Sequence, residues 1–146
     1  MKVQIPEKPR SLPKWMYEIS KAYCQVIADR FEYKARQPVS IVNWQIRVQE
    51  ISFVSSRGID KRIRLYFPIN KDRRIVVSLD KAAKSEEIWK LLHVLHNYAK
   101  IGAIEDFKRT LNKLLDYCLD HKPYLYIEYS TKGSYMLSKP KTLRLR

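Results

Sequence analysis

The sequence predicts an α+β fold in which an antiparallel or mixed sheet of about four strands carries helices on one face. Apolar residues recur every three to four positions in three stretches, which is typical of helices that bury one side. Between these stretches the apolar residues alternate every second position, as they do in strands. The order of the segments, one helix, three strands, two helices and one or two further strands, favours a mainly antiparallel sheet.

The first element is a helix predicted from about Lys14 to Lys34. Its apolar side chains keep the spacing of a single stripe, and Pro38 closes the segment. Residues 1–13 precede it and contain three prolines, so we expect them to form an extended, flexible arm.

Three strands are predicted between Val39 and Leu79. The alternation in the first strand shifts by one residue at Gln49–Glu50, and a β-bulge there is the simplest explanation. The second strand covers Lys61–Phe67 and the third covers Arg74–Leu79, with turn residues before each of them.

Two helices are predicted next. The first starts at Ser85, an ordinary N-cap residue, and runs to about Lys100, after which Gly102 suits the left-handed position that ends many helices. The second covers roughly 103–121 and keeps the same three-to-four spacing of apolar residues.

The C-terminal segment is predicted to return to the sheet. Tyr124–Tyr129 forms a strand, Lys132-Gly133 a turn, and 142–146 a short edge strand within a basic tail, residues 139–146. Since no repeat or linker divides the sequence, we expect one domain over residues 1–146.

The positive charge is concentrated in the predicted strands and the tail. The chain carries a formal net charge of +14. Residues 41–84 contain ten basic and four acidic side chains, and residues 122–146 contain six basic side chains and one acidic side chain. The two predicted helices at 85–121 contain five basic and six acidic side chains, so this segment is nearly neutral. A field of this sign attracts polyanions.

Strand alternation sharpens this prediction. If Ile63 and its alternate neighbours are buried, Arg62, Arg64 and Tyr66 share the opposite face. The other candidate contacts with nucleic acid lie on neighbouring strands, after the third strand or in the tail. They are Arg47, Arg74, Lys81, Lys84, Arg144 and Arg146.

Rows of arginine with a tyrosine among them are suited to follow a phosphate backbone and to stack a base. The plainer interpretation is a solvated face whose arginines prevent edge-to-edge aggregation. No helix-turn-helix, zinc-finger or RNA-binding motif is present, so we expect binding without strong sequence preference.

Other function classes are excluded by residue usage. The three glycines leave no room for a phosphate-binding loop of the Walker or dinucleotide type. The two cysteines, Cys24 and Cys118, have no C-x-x-C spacing, and two buried free thiols are preferred over a single disulfide. No apolar run approaches the length of a membrane span and no leader is evident, so an intracellular protein is expected.

The most suggestive cluster of catalytic residue types follows the third strand. Asp80 ends that strand, Glu86 lies in the first turn of the next helix, and Lys90 and His93 lie on the helical stripe of Glu86. Carboxylates that hold Mg²⁺, here Glu86 and Asp80, together with a lysine and a histidine, are typical of phosphodiester hydrolysis. The alternative is ordinary: acids favour the first turn of a helix, and this is also what an exposed helical face contains.

Weaker candidates lie elsewhere. Asp60 and Asp72 are in predicted turns, and Glu105-Asp106 opens the last helix, where acids have local structural roles. His93-x-x-His96 is a possible zinc clip, but no third ligand is evident.

The stretch Arg73–Lys90, RRIVVSLDKAAKSEEIWK, resembles small basic α+β proteins of the lipothrixvirus group, filamentous viruses of hyperthermophilic archaea. So does the mixture of many Tyr, Ile, Lys and Arg with little Gly. The resemblance implies nuclease activity on double-stranded DNA in the cytoplasm of a host cell. Glu86 is the one position it marks as catalytic.

Three hypotheses follow. The first is a protein that binds double-stranded DNA, in preference to RNA, and cleaves it with Mg²⁺. The second is a non-catalytic packaging or regulatory protein that uses the same surface. The third is a module that binds an acidic protein partner.

Overall fold

The computed structural model describes residues 1–34, 38–41, 43–131 and 133–146. In chain order its elements are α1 (Lys14–Arg30), β1 (Phe31–Glu32), β2 (Arg47–Ser55), β3 (Gly58–Pro68), β4 (Arg73–Ser78), α2 (Ser85–Lys100), α3 (Ile104–Leu119), β5 (Tyr124–Thr131), β6 (Ser134–Ser138) and β7 (Arg144–Leu145). Among the described residues, no helix has both the length and the apolar character needed to cross a membrane. Lys132, part of a predicted turn, lies outside the described residues.

The predicted α+β class is confirmed, with one strand more than expected in the main sheet. Five antiparallel strands in the order β2-β3-β4-β5-β6 curl into a half-barrel. The extra strand is β6, whose burial pattern carries no alternation because Tyr135, Met136 and Leu137 are all more than half exposed. A strand without a buried face leaves no period-two signal in the sequence.

The helices cover one face of this sheet. Ile63, Leu65 and Phe67 of β3 are buried in the main core together with the apolar stripes of all three helices. On the other face, Tyr66, Val76 and Tyr126 form a separate small cluster. The alternation in the sequence therefore separates a helix-covered face from an open one.

Helix α1 is shorter than predicted because the chain turns extended at Phe31 (φ −103°, ψ 119°). Phe31 pairs with Leu145 and Glu32 with Arg144, so the end of α1 is joined to the C-terminal tail. The predicted edge strand at 142–146 thus exists as β7, but in a two-stranded sheet of its own.

The β-bulge predicted at Gln49–Glu50 is wrong. The β2–β3 register runs one for one from Arg47↔Tyr66 to Ser55↔Gly58. Ile51 and Phe53 therefore lie on the same side of the sheet as Arg47. They can do so because this part of the hairpin extends beyond the helices, where no core requires apolar residues to keep their parity.

The N-terminal arm is in contact with the body of the protein. Val3 forms a parallel bridge with Val39, and Ile5 packs against the core. The Tyr17 hydroxyl donates a 2.7 Å hydrogen bond to the Pro6 carbonyl. Residues 3–6 of the arm that we predicted to be flexible therefore lie against α1 and the segment before β2.

The bounds of α2, Ser85–Lys100, match the prediction, whereas the predicted N-cap does not. Gly102 has a φ of +70°, as expected for the residue that ends the helix. Ser85 is the first helical residue instead of the N-cap; the cap is Lys84. The backbone N–H of Lys84 donates to the Tyr117 hydroxyl at 2.7 Å, so α3 supplies the capping group.

Candidate nucleic-acid interface

The antiparallel register places four predicted arginines on the open side of the sheet. Arg47 pairs with Tyr66, Ile51 with Arg62, Arg64 with Ser78 and Pro68 with Arg74. Side chains of directly paired residues project from the same face. We call Arg47, Arg62, Arg64 and Arg74 the arginine face; it lies opposite the helix layer.

Two members of the arginine face have no anionic partner. Within the described part of the chain, neither Arg47 nor Arg64 forms an ion pair. The Nε atom of Arg64 is buried without a hydrogen-bond partner, and its guanidinium lies 5.9 Å from the Phe53 ring. A buried donor without an acceptor costs free energy.

Arg62 shares one carboxylate with Lys81. Asp60 lies 3.8 Å from Arg62 Nε and 3.5 Å from Lys81 Nζ. Two cations for one carboxylate leave a positive excess here. The contact also brings Lys81, which follows β4, to the edge of the arginine face. The sequence had indicated only that Lys81 follows the third strand.

Arg74 is engaged inside the protein. It donates from Nε and Nη2 to Glu128 Oε2 at 3.0 and 2.7 Å, and the two side chains are 18% and 14% exposed. Its guanidinium lies between the rings of Tyr66 and Tyr135, 4.2 and 3.9 Å from their centroids. The charge of Arg74 is therefore largely neutralised, and its side chain links β4 to β3, β5 and β6.

The ring of Tyr66, which we predicted to stack on a base, is not accessible in the structure. It is only 7% exposed, Arg74 covers its ring, and its hydroxyl donates to Gln49 Oε1 at 2.6 Å. A base would have to displace Arg74 to reach this ring. Tyr66 thus belongs to the support of the arginine face and not to its accessible surface.

A cleft of about 700 Å³ adjoins the arginine face. Its walls come from the segment before β2, the β3–β4 turn and β6. The lining residues are Ser40, Ile41, Asn43, Gln45, Arg47, Tyr66, Pro68, Asn70, Lys71, Asp72, Arg73, Arg74, Ser130 and Tyr135. Three lining residues were not predicted as part of a site: Lys71, Arg73 and Tyr135. Lys71 was detectable as a basic residue in a turn and Arg73 as a basic residue at the start of a strand, whereas Tyr135 depends on the unpredicted β6.

The tail arginines form a separate basic surface. Arg146 Nε donates to the Asp29 carbonyl at 2.9 Å, beside the end of α1. Arg144 lines a second depression of about 480 Å³ together with Lys139 and Lys141. The predicted set of basic residues is therefore divided among the arginine face, the tail and, for Lys84, the start of α2.

Three of the four predicted catalytic residues share one surface. Glu86, Lys90 and His93 line a depression of about 760 Å³ on the outer side of α2, with the exposed Trp89 among them. Glu86 Oε1 lies 3.6 Å from Lys90 Nζ. Lys84 lies on the surface at the start of this helix.

Asp80 is not part of that depression. Its Oδ1 accepts a 3.0 Å hydrogen bond from the Ala82 N–H, and its own N–H donates to the His121 carbonyl. This is the local turn bonding that aspartate commonly provides. Asp80 therefore has a structural role in the connection between β4 and α2.

The donor set for a metal is correspondingly small. Across the described ranges, no group of three or more His, Cys, Asp or Glu side chains is placed to hold a metal ion. His96, the second histidine of the possible zinc clip, packs against Trp44 in a tilted arrangement with 5.0 Å between ring centroids. Burial, with smaller effects of Lys100 and His93, lowers the pKa of His96.

Neither cysteine is available as a nucleophile. Cys24 and Cys118 are buried and free, which confirms the prediction of two buried thiols. Burial raises the pKa of Cys24 to about 11 and that of Cys118 to about 12. Both thiols are therefore protonated at neutral pH.

The geometry thus provides a cationic open sheet face with a cleft beside it, and a smaller polar surface on α2. Comparison of the chain with protein-family models, with curated proteins and with solved structures gave no match.

Proposed function

We propose that this protein binds double-stranded DNA through the arginine face and the adjoining cleft. The observation that carries the proposal is the pair Arg47 and Arg64, two arginines on one open face that lack an ion-pair partner among the described residues. Phosphate oxygens are the ligands that arginine binds most readily in such a place.

The aromatic residues of this side favour a duplex over a single strand. Proteins that bind single strands stack bases on accessible aromatic rings. Here Tyr66 and Tyr126 are buried, and Tyr135 and Tyr124, which are 56% and 47% exposed, each have a cation, Arg74 or Lys139, over one face of the ring. Contacts with a phosphate backbone remain, and a duplex presents two backbones at regular spacing. The preference for DNA over RNA depends on the resemblance of Arg73–Lys90.

The test is the salt dependence of binding to a labelled linear duplex, measured by fluorescence anisotropy. Each neutralised phosphate contributes about −0.9 to the slope of log affinity against log salt. We expect Arg47→Gln/Arg64→Gln to reduce that slope by about two and to lower affinity at least about tenfold at low salt.

The matched control is Lys108→Gln/Lys113→Gln, which removes two positive charges from α3 on the helix side. If binding depends on the arginine face, this variant keeps nearly the affinity of the unchanged protein. Equal losses in both double variants would show a non-specific effect of net charge. Binding that does not respond to salt would contradict the proposal and favour an acidic protein partner.

Hydrolysis of DNA is a second candidate function, supported by the shared placement of Glu86, Lys90 and His93 on the outer side of α2, away from the arginine face. Mg²⁺ is often held by one or two carboxylates together with substrate phosphates. Glu86 would supply the carboxylate, Lys90 would steady negative charge, and His93 would move a proton. Glu86 follows Lys81 by five residues, so the Cα atoms of the two residues lie within about 17 Å of each other.

Cleavage of linear duplex is measured with Mg²⁺ or EDTA for the unchanged protein, Glu86→Ala and Glu87→Ala. Glu87 is an exposed acid in the same turn and serves as the control. Mg²⁺-dependent cleavage that is lost only in Glu86→Ala supports the assignment. Cleavage that survives Glu86→Ala excludes this site, and binding without cleavage leaves the non-catalytic packaging or regulatory role.

A further inference from the structure

Strand β6 leaves one edge of the main sheet open. It is the last strand in the order β2-β3-β4-β5-β6, and no described strand pairs with its outer side. Ser130 of β5 donates its N–H to the Asp72 carbonyl at 2.8 Å, away from its β6 partner Tyr135. Ser130 and Tyr135 are therefore a pair without mutual hydrogen bonds. By the same alternation, Tyr135 and Leu137 direct their backbone N–H and C=O groups out of the sheet edge.

The side chains of β6 are also uncovered. Tyr135, Met136 and Leu137 are 56%, 53% and 62% exposed. The strand contains no charged residue and no proline, which are features that commonly prevent an edge strand from pairing with another chain. The opposite edge strand, β2, contains an arginine and a glutamate. The edge at β6 is therefore the one suited to accept a further strand.

The sequence of β6 has the same polarity pattern in both directions. It reads Ser-Tyr-Met-Leu-Ser, with a serine at each end and apolar residues between them. If two such strands run antiparallel with Met136 opposite Met136, Ser134 lies opposite Ser138. Tyr135 then lies opposite Leu137, so the backbone groups that point outward in one copy meet those of the other. The strand that fits this edge without a mismatch is thus β6 of a second copy.

We propose that β6 pairs antiparallel with β6 of a second copy, centred on Met136, so that the two five-stranded sheets become one continuous sheet. Tyr135 and Leu137 exchange backbone hydrogen bonds with Leu137 and Tyr135 of the second copy. The two Met136 residues form a pair without hydrogen bonds, in which side chains approach most closely. Because both copies use the same edge, the assembly closes at two copies and does not grow into a fibre.

The symmetry of this pair places both arginine faces on one side of the extended sheet. A two-fold axis that relates two antiparallel edge strands runs perpendicular to the sheet, so the open side of one copy continues into that of the other. Tyr135, which carries the Arg74 guanidinium on its ring, lies at the junction. The cleft beside the arginine face, which Tyr135 also lines, therefore adjoins the second copy.

The spacing between the two arginine faces is close to one turn of a duplex. Strand β3, which carries Arg62 and Arg64, lies three strand spacings from β6. With one more spacing between the copies, the two β3 strands are seven spacings apart, roughly 34 Å along the sheet. One turn of B-DNA measures about 34–36 Å. Two paired copies can therefore contact the same side of one duplex, a consequence that rests on the proposed function, whereas the pairing does not.

The pair is weak in the free protein. It joins five residues of each copy, few beside the roughly 20–30 residues a side of a stable interface. Each copy also carries a net charge of +14, which repels the other. The phosphates of a bound duplex neutralise part of this charge and hold two copies side by side. We therefore expect pairing to be strongest on DNA and to increase with salt in its absence.

Disulfide cross-linking tests the register. Met136→Cys places a thiol at the centre of the pair, where opposite Cβ atoms are about 4.5–5.5 Å apart. A mild oxidant should link this variant into a dimer, seen on a non-reducing gel. The matched control is Ser134→Cys, whose two thiols are about 13 Å apart because Ser134 lies opposite Ser138. The native thiols of Cys24 and Cys118 are buried and do not compete.

A proline variant tests the backbone hydrogen bonds. Leu137→Pro removes an N–H that points outward, so the bonds between β5 and β6 remain. In Met136→Cys/Leu137→Pro, cross-linking should fall by about tenfold or more, because each pair of copies loses two hydrogen bonds. Met136→Cys/Leu137→Ala keeps the N–H and should cross-link nearly as Met136→Cys does.

Binding to duplexes of two lengths tests the joint use of the arginine faces. On about 20 base pairs, two helical turns, the unchanged protein should bind cooperatively as two copies. On about 10 base pairs it should bind as one copy. Leu137→Pro should bind the short duplex normally and lose the cooperativity on the long one.

The outcomes separate the pairing from the proposed function. Equal cross-linking of Met136→Cys and Ser134→Cys, or none in either with and without DNA, overturns the pairing; these two variants decide even if the proline variant unfolds. Specific cross-linking in a protein without salt-dependent DNA binding removes the proposed function and leaves the pairing. Specific cross-linking with salt-dependent but non-cooperative binding overturns only the placement of both copies on one duplex.

Discussion

Among individual side chains, Glu128 controls how much charge the arginine face presents. It lies directly opposite Arg74 across β4 and β5 and accepts two of its N–H groups. The pair is mostly screened from water, with side-chain exposures of 18% and 14%. Removing one partner of such a pair leaves the other charge uncompensated. The removal therefore destabilises the fold by more than the intact pair stabilises it.

Glu128→Gln is therefore expected to have opposite effects on folding and on binding. The free energy of unfolding should fall by about 1–3 kcal/mol, because a charge-assisted hydrogen bond is lost. Affinity for duplex DNA should rise, with a salt slope steeper by about one, because Arg74 is no longer neutralised. Urea unfolding and fluorescence anisotropy measure the two effects.

Glu87→Gln is the control for this prediction. It also removes one negative charge, but from the exposed start of α2. An equal gain of affinity in both variants would show that Arg74 is not involved. A Glu128→Gln protein of unchanged stability would show that the pair contributes nothing to the fold.

Among the secondary-structure elements, the short β7 strand connects three parts of the chain. It pairs with β1 at the end of α1, and its Leu145 is packed into the core. Arg30, the last residue of α1, contacts the Arg146 carbonyl through Nε and Asp116 of α3 through Nη2. The C-terminal residues thus hold α1, α3 and the tail in one arrangement.

Leu145→Ala tests the contribution of β7. Leu145 is 9% exposed, and a buried leucine changed to alanine usually costs about 2–5 kcal/mol of unfolding free energy. We expect a value near the lower end, because the strand lies at the edge of the core. Denaturant unfolding provides the measurement.

Leu137→Ala is the matched control, since Leu137 is 62% exposed on β6. Its effect should stay within about 0.5 kcal/mol. If Leu145→Ala were equally mild, the tail would not be anchored as described.

At the scale of the whole molecule, one hydrophobic core joins the helices to the sheets. A single cluster of buried residues includes side chains from α1, α2, α3 and both sheets. Phe67 of β3 is fully buried in it and contacts Phe31 at 5.7 Å between centroids. A continuous core of this size favours a single cooperative unfolding transition.

Phe67→Ala should lower the unfolding free energy by about 3–5 kcal/mol while leaving one transition. Circular dichroism follows the helices, and fluorescence follows the three tryptophans, of which Trp44 is 6% exposed and packs on Phe107. The two signals should change at the same denaturant concentration. Separate midpoints would show that helices and sheet unfold independently.

The open side of the sheet follows from the same arrangement. The helices cover one face, so charged residues of opposite parity have only water or a ligand to face. A sheet covered on both faces would have buried these arginines and required partners for all of them. Arg74, whose side chain is 18% exposed, has such a partner in Glu128.

Several features were predictable from the pattern of residues alone. The bounds of α2 and α3 and the buried parity of β3 follow from local periodicity, which each segment carries within itself. The shared side of Arg47, Arg62, Arg64 and Arg74 follows from the same parity. The grouping of Glu86, Lys90 and His93 follows from helical spacing.

Other features depended on contacts between residues far apart in the chain. Glu128 neutralises Arg74 from 54 positions away, and β7 ends α1 by pairing with Phe31. The continuous β2–β3 register replaced the expected bulge because that part of the hairpin has no core beside it. Local periodicity encodes which side of an element is apolar, but pairing partners and neutralised charges are set by how the elements pack, and no single segment contains that information.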